Sequence, residues 1–222
     1  MSDGKTWLNF GLQLLEVGNK DGAIKAFTKS IEETPVDPEP WFQLGIVLEA
    51  IGKRAMAIEA LEKVTSLDPS RYDAWFHLGS FLHDAGEDEK SIDAYHTGLE
   101  IAPGNAEAWF ELAMITAGIN DVEEAMAALE KAIASGIVIP TPWNTMGRAM
   151  LDKGNIDGAV RFLEASIGMH QGDGDTWYLL ATALHQAGRN ADAIQAIEKA
   201  LAIKPHNPAF LALDEIIKGT DT

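Results

Sequence analysis

The 222-residue chain contains no cysteine. That excludes a disulfide framework, a thiolate nucleophile and a Cys-based zinc site. Basic residues are scarce, 17 Lys and Arg against 34 Asp and Glu, for a formal net charge of −17. A balance of that sign disfavours the phosphate contacts that dominate nucleic-acid binding, and it disfavours anionic membrane surfaces. No apolar run approaches the length of a membrane span, and the opening MSDGKTWLNF is too acidic and too broken for a signal peptide. The expectation is a soluble, cytoplasmic protein with neither a nucleic-acid nor a membrane partner. The hydrophobic fraction of 46% suffices to bury a sizeable core.

What the chain does have is a period. Its six tryptophans, Trp7, Trp41, Trp75, Trp109, Trp143 and Trp177, are each 34 residues apart. A fixed period of that length signals an array of stacked structural repeats. Other columns keep the same register. Three residues after each Trp come Phe10, Leu44, Leu78, Leu112, Met146 and Leu180, and four after come Gly11, Gly45, Gly79, Ala113, Gly147 and Ala181. Sixteen after lie Ala23, Ala57, Ser91, Ala125, Ala159 and Ala193, all small.

Each repeat reads as two amphipathic helices. In the second, Trp41, Leu44, Gly45 and Leu48 make one stripe at helical spacing, and Ala57, Ile58, Leu61 and Val64 make another. Eleven residues after each Trp stands Gly18, Gly52, Gly86, Asn120, Gly154 or Gly188. These residues tolerate the left-handed conformation that ends a helix, so the column predicts six C-caps. Before each first helix lies a second column, Asp3, Asp37, Arg71, Asn105, Ile139, Asp173 and Asn207, in which the Asp and Asn members predict N-caps. Pro38, Pro140 and Pro208 fall at or near the first helical position.

The pattern W-x2-L-G-x2-L, followed by a small residue, a bulky one and a late proline, resembles the tetratricopeptide repeat (TPR) family. The late proline is held by Pro35, Pro69, Pro103 and Pro205, and lost at Ile137 and Gln171. The resemblance implies an all-α fold, an α-solenoid built as a right-handed superhelix of six helix-turn-helix repeats plus a capping helix. The repeats run over 4–37, 38–71, 72–105, 106–139, 140–173 and 174–207, with the capping helix at 208–218 and a tail at 219–222. The whole chain is expected to form one array. In the capping helix the Leu, Gly and Leu columns become Asp214, Glu215 and Lys218, a polar outer face suited to ending a solenoid. No such polar cap is expected at the N-terminus. Leu8, Leu12 and Leu15 share one face of the first helix, which suits either half-burial against the second helix or weak self-association. The segment 134–143 lost its proline column and gained Pro140 and Pro142, so a distorted junction or hinge is expected there, with Thr141 as a late cap.

The resemblance also implies that the first helices line an inner groove. One position after each Trp stand Leu8, Phe42, Phe76, Phe110, Asn144 and Tyr178, and five after stand Leu12, Ile46, Ser80, Met114, Arg148 and Thr182. Phe42, Ile46, Phe76, Phe110 and Met114 are expected to form an apolar strip for the anchors of an amphipathic or extended peptide. Asn144 and Arg148 form a polar spot, and Tyr178 ends the row. Two positions before the Trps, Glu39, Asp73, Glu107 and Asp175 make an acidic rim that favours basic or amphipathic partners. The cluster of Lys, Arg and Asn by which one TPR subclass grips the C-terminal carboxylate of heat-shock chaperones is broken by Glu39, Gln43, Asp73 and His77, although Lys5 and Asn9 are present.

No catalytic constellation emerges. His77 and His83 are six apart on one helix and face different sides, not the i, i+4 pair of a helical metal site. His83 and His185 share a column but lie three repeats apart, on the order of 25 Å. Gly172, Asp173 and Gly174 read as a loop plus cap, not a phosphate cradle. No metal, cofactor or enzymatic activity is expected. The expected function is a protein–protein interaction adaptor holding a peptide-like or helical segment in its concave groove. The alternatives are a structural scaffold self-assembling through its N-terminal face, or an accessory subunit of an enzyme complex.

Overall fold

A computed structural model describes residues 3–137, 142–169 and 173–219. These residues form thirteen helices: α1 (Asp3–Glu16), α2 (Lys20–Glu33), α3 (Pro38–Glu49), α4 (Arg54–Leu67), α5 (Tyr72–Asp84), α6 (Asp88–Ile101), α7 (Ala106–Gly118), α8 (Val122–Ala134), α9 (Pro142–Asp152), α10 (Ile156–Met169), α11 (Gly174–Gln186), α12 (Asn190–Ile203) and α13 (Pro208–Gly219). No strand occurs among the described residues. The chain divides into two compact units, Met1–Ala108 and Trp109–Thr222, with the boundary inside α7.

In the first unit α1 packs on α2, α3 on α4 and α5 on α6, and successive pairs are joined by α2 against α3 and α4 against α5. The second unit repeats this with α9 on α10, α10 on α11 and α11 on α12, and α13 closes on α11 and α12. Glycine sets the closeness of four of the helix pairs, α1–α2, α3–α4, α5–α6 and α9–α10. A Cβ on Gly11 would sit 2.4 Å from Cε1 of Phe27, so the fully buried Phe27 ring occupies the space a side chain would need. The same column meets Leu61, Tyr95 and Leu163 in later repeats.

Helix ends follow the column logic closely. Asn120 at φ 71° and five glycines, Gly18, Gly52, Gly86, Gly154 and Gly188, hold the left-handed conformation after the first helix of each repeat. At the first of these turns Asn19 N–H donates to Leu14 and Gly18 N–H to Leu15, the paired bonds of a Schellman ending. Asp37, Asn105, Asp173 and Asn207 accept from free N–H groups at the starts of α3, α7, α11 and α13. Asp3 departs from this, since it lies inside α1. Ile139 and Thr141, the expected weak and late caps, lie outside the described residues.

Two features link neighbouring repeats without a signature in any one repeat. Lys20 Nζ donates to the Ala50 carbonyl, and 34 residues on Arg54 Nη1 donates to the Asp84 carbonyl. Each places a cation on the carbonyl end of the next first helix, where the helix dipole favours it. The tryptophans also reach back. Trp41 and Trp75 donate their indole N–H to the carbonyls of Pro35 and Pro69, tying the Trp column to the late proline before it. Where Ile137 replaces that proline, Trp143 Nε1 is buried with no hydrogen-bond partner among the described residues.

Candidate interaction surface

Three of the residues that follow a Trp, Phe42, Asn144 and Tyr178, face the next helix of their seam rather than open solvent. Phe42 is 9% exposed and belongs to a cluster with Leu48, Ala74, Leu78 and Leu82. The His77 ring meets it edge-on at 5.5 Å, and the Arg71 guanidinium lies 3.9 Å above its centroid. Asn144 is likewise buried at 8%. Its amide donates to Thr176 Oγ1 at 2.5 Å, and Thr176 in turn donates to Asp173, the residue that caps α11. Tyr178 is half-buried and stacks at 4.9 Å on Phe210 of α13. The polar spot of Asn144 and Arg148 thus divides: Asn144 is a buried tie between α9 and α11, and Arg148 is exposed.

The partner column in this seam is one that sequence reasoning passed over, the residue before each Trp. Pro40, Ala74, Ala108 and Thr176 are buried, as is Phe210 at the equivalent position of α13, while Pro142 is half-buried and Thr6 exposed. A signal for it exists in the chain. Asn144 is followed 32 residues later by Thr176, and Tyr178 by Phe210, so polar meets polar and aromatic meets aromatic.

Ile46, Phe76, Phe110 and Met114 remain half-buried, with apolar surface open to a ligand. Ile46 and Phe76 lie in the first compact unit, Phe110 and Met114 in the second. Phe76 stacks on Tyr95 at 6.1 Å and has Tyr72, 47% exposed, at 5.8 Å. It settles this low because the facing residue on α6 is glycine: a Cβ on Gly98 would lie 2.4 Å from Phe76 Cε1.

Three of the four rim acids are engaged within the chain. Arg71 bonds Glu39 at 2.7 Å and Asp73 at 3.0 Å, and Lys204 bonds Asp175 at 2.7 Å. Glu107 is exposed. Burial works against the charge of Arg71, but its hydrogen bonds to Asp73 and Glu39 outweigh that and hold its pKa above the usual arginine value. The neighbouring His77 is pushed below the usual imidazole value, chiefly by desolvation against its aromatic neighbours. The attraction of Asp73 opposes this shift, and the Arg71 charge adds to it.

Histidine at the end of a first helix serves the turn. His83 Nδ1 meets Asp88 at 2.5 Å and His185 Nδ1 meets Asn190 at 3.0 Å, each clasping the start of the next helix. Among the described residues no group of three His, Asp or Glu is placed to hold a metal ion, and no helix is long and apolar enough to cross a membrane.

Paired helices at a 34-residue period, joined by repeating seams, define an α-solenoid. The chain belongs to the tetratricopeptide repeat family: tetratricopeptide repeat profiles match residues 42–106, 106–135 and 150–214. Among solved structures, a tetratricopeptide repeat protein from Parabacteroides merdae ATCC 43184 aligns with a TM-score of 0.65 at 18% identity, over 98% of this chain and 86% of that one. MamA 41-end from Desulfovibrio magneticus RS-1 aligns with a TM-score of 0.64 at 20% identity, over 77% and 97%. YrrB, described as a TPR protein with an unusual peptide-binding site, aligns with a TM-score of 0.59 at 20% identity, over 86% and 99%. At such identities the likeness is one of fold. No curated protein matches the chain.

Proposed function

We propose that this protein is a non-catalytic interaction scaffold that holds a peptide-like or helical segment of a partner protein against its first-helix faces. The observation that carries the reading is the retention of half-open apolar side chains, Ile46, Phe76, Phe110 and Met114, on helices whose other apolar residues, Tyr72 apart, are mostly committed to the core. Burying such side chains supplies affinity, and the adaptable thioether of Met114 suits a surface that moulds to its ligand. Membership of a family built of stacked helix pairs supports the same reading, as does the peptide-binding site for which YrrB is described.

The preferred partner is amphipathic, with basic residues that respond to the net charge of −17 as a whole. Glu39, Asp73 and Asp175 contribute less than their column suggests, because Arg71 and Lys204 offset two of their three charges. The test is capture of partners by the wild type and by a Phe76→Ala/Met114→Ala variant at two salt concentrations. The reading expects a partner that the wild type retains, that the variant loses, and whose retention weakens as salt rises. Equal retention by both forms would place binding elsewhere and overturn it.

A further inference from the structure

The leucine face of α1, which the sequence allowed for self-association, is half-buried against Ala23, Phe27 and Val47. Open charge and open aromatic surface meet farther along the first compact unit, at the starts of α5 and α7. In the seam before, between α3 and α5, a guanidinium is already held. Arg71 lies 3.9 Å above the Phe42 centroid and bonds Glu39 at 2.7 Å and Asp73 at 3.0 Å, one acid from each of two successive repeats. The last seam uses a different cation, Lys204, which bonds Asp175 at 2.7 Å.

One repeat after Arg71 the same receptor recurs, and both cations are missing. Asp73 takes the place of Glu39, Phe76 that of Phe42 and Glu107 that of Asp73, while Asn105 replaces Arg71 and Ala102 replaces Lys204. All of these residues belong to the first compact unit, which extends through the first turn of α7 to Ala108. Ala108 is buried like its counterpart Ala74, which packs with Phe42. Asn105 is spent on capping, its Oδ1 accepting from Ala108 N–H. Glu107 is exposed, and the Asp73 side chain is 42% exposed. Glu39, Asp73 and Glu107 thus share the single cation Arg71, and the seam keeps an excess of negative charge. Its aromatic side is also larger: Tyr72, 47% exposed, stands 5.8 Å from Phe76 where the earlier seam has Pro38.

We infer that this seam receives an arginine side chain of the partner segment. Its guanidinium takes, beside Phe76, Asp73 and Glu107, the place that Arg71 takes beside Phe42, Glu39 and Asp73. The inference rests on the scaffold proposed above and names one anchor of its partner. A flat, delocalised cation suits the site better than an ammonium group, because it stacks on an aromatic face and still donates in its plane to two carboxylates. Asp73 can serve both guanidinium groups, since Arg71 leaves its Oδ2 only a long contact at 3.4 Å.

The probe is N-acetyl-arginine amide, titrated into the full chain and followed by backbone amide chemical shifts, beside its lysine and citrulline analogues. The expected shifts cluster at 72–76 and 102–108. The arginine compound should bind about threefold or more tightly than the lysine one, and the uncharged citrulline one not at all. Asn105→Arg and Ala102→Lys each supply the cation that another seam contains, and each should weaken arginine binding by about fivefold or more. Ala102 at φ −125° shares the backbone conformation of Lys204 at φ −127°, so the grafted lysine starts from the same geometry. Gln195→Arg adds the same charge at an exposed position of α12 and should change binding by less than about twofold. Circular dichroism verifies each fold, and Ala102→Lys decides alone should Asn105→Arg, which gives up a cap bond, fail to fold. Shifts spread evenly over other acidic faces, equal binding of the lysine compound, or undiminished binding by the folded grafts would each overturn the inference. The scaffold itself is tested by partner capture with Phe76→Ala/Met114→Ala, so either can fail alone.

Discussion

Two glycines present the same local clash with opposite freedom to relieve it. An alanine Cβ at Gly11 would lie 2.4 Å from Phe27 Cε1, and one at Gly98 would lie 2.4 Å from Phe76 Cε1. Alanine favours a helix interior over glycine by about 1 kcal/mol, and overpacking a core costs about 1–3 kcal/mol. Phe27 is 0% exposed and has no free side to move into, so Gly11→Ala carries the overpacking cost and should destabilise the α1–α2 pair by up to about 2 kcal/mol net. Phe76 is half-buried and can swing outward. Gly98→Ala then loses the stacking of Phe76 on Tyr95, worth about 0.5–1.5 kcal/mol, gains helix propensity, and stays within about 1 kcal/mol of neutral. Repeat arrays open locally, so amide hydrogen exchange across α1–α2 and α5–α6 is the suitable assay. Proton contacts between the Phe76 and Tyr95 rings report on the swing. Equal losses at the two sites, or an undisturbed Phe76–Tyr95 contact in Gly98→Ala, would refute the reasoning.

Other expectations concern the seams. Thr176→Val strands the buried Asn144 amide, and urea unfolding should record a loss of about 1–3 kcal/mol in the second compact unit, against a much smaller change for the exposed Gln195→Ala. Arg71→Ala frees Glu39 and Asp73 and uncovers the Phe42 face, so titration with an arginine-rich peptide should show tighter, more salt-sensitive binding than the wild type. His77 should titrate by NMR below the ordinary imidazole value, and Phe42→Ala should raise it by restoring water. The sign for stability follows. The unfolded chain takes up the His77 proton first as pH falls, so this contribution is present above the unfolded pKa near 6.5 and is lost on acidification through it.

Much of the fold was legible because a repeat states its own rules many times over. A glycine or asparagine every 34 residues needs no alignment to be read as a row of left-handed caps, and all six hold that conformation. Arg71 shows where column logic stops. It stands at a cap position, yet its side chain makes no cap bond and turns to Glu39, Asp73 and Phe42. An acidic edge read one residue per repeat contains no term for a cation arriving from the adjoining column. The candidate groove met the same limit. Phe42 and Phe76 share a column, but Phe42 is closed over by Arg71 and His77, while Phe76 lies in a notch that exists because residue 98 is glycine.

By itself the sequence determined the helix pairs, their ends and the close approach at the glycine column, because those depend on backbone conformation and on contacts recurring at fixed separations within one repeat. The tertiary structure alone decided which side chains stay available to a partner. Exposure depends on what the next helix, 32 to 34 residues away, lays across each position. That is why Asn144 disappears into a hydrogen-bonded seam with Thr176, while Trp7 and Phe10, in columns that read as core, stand open to solvent.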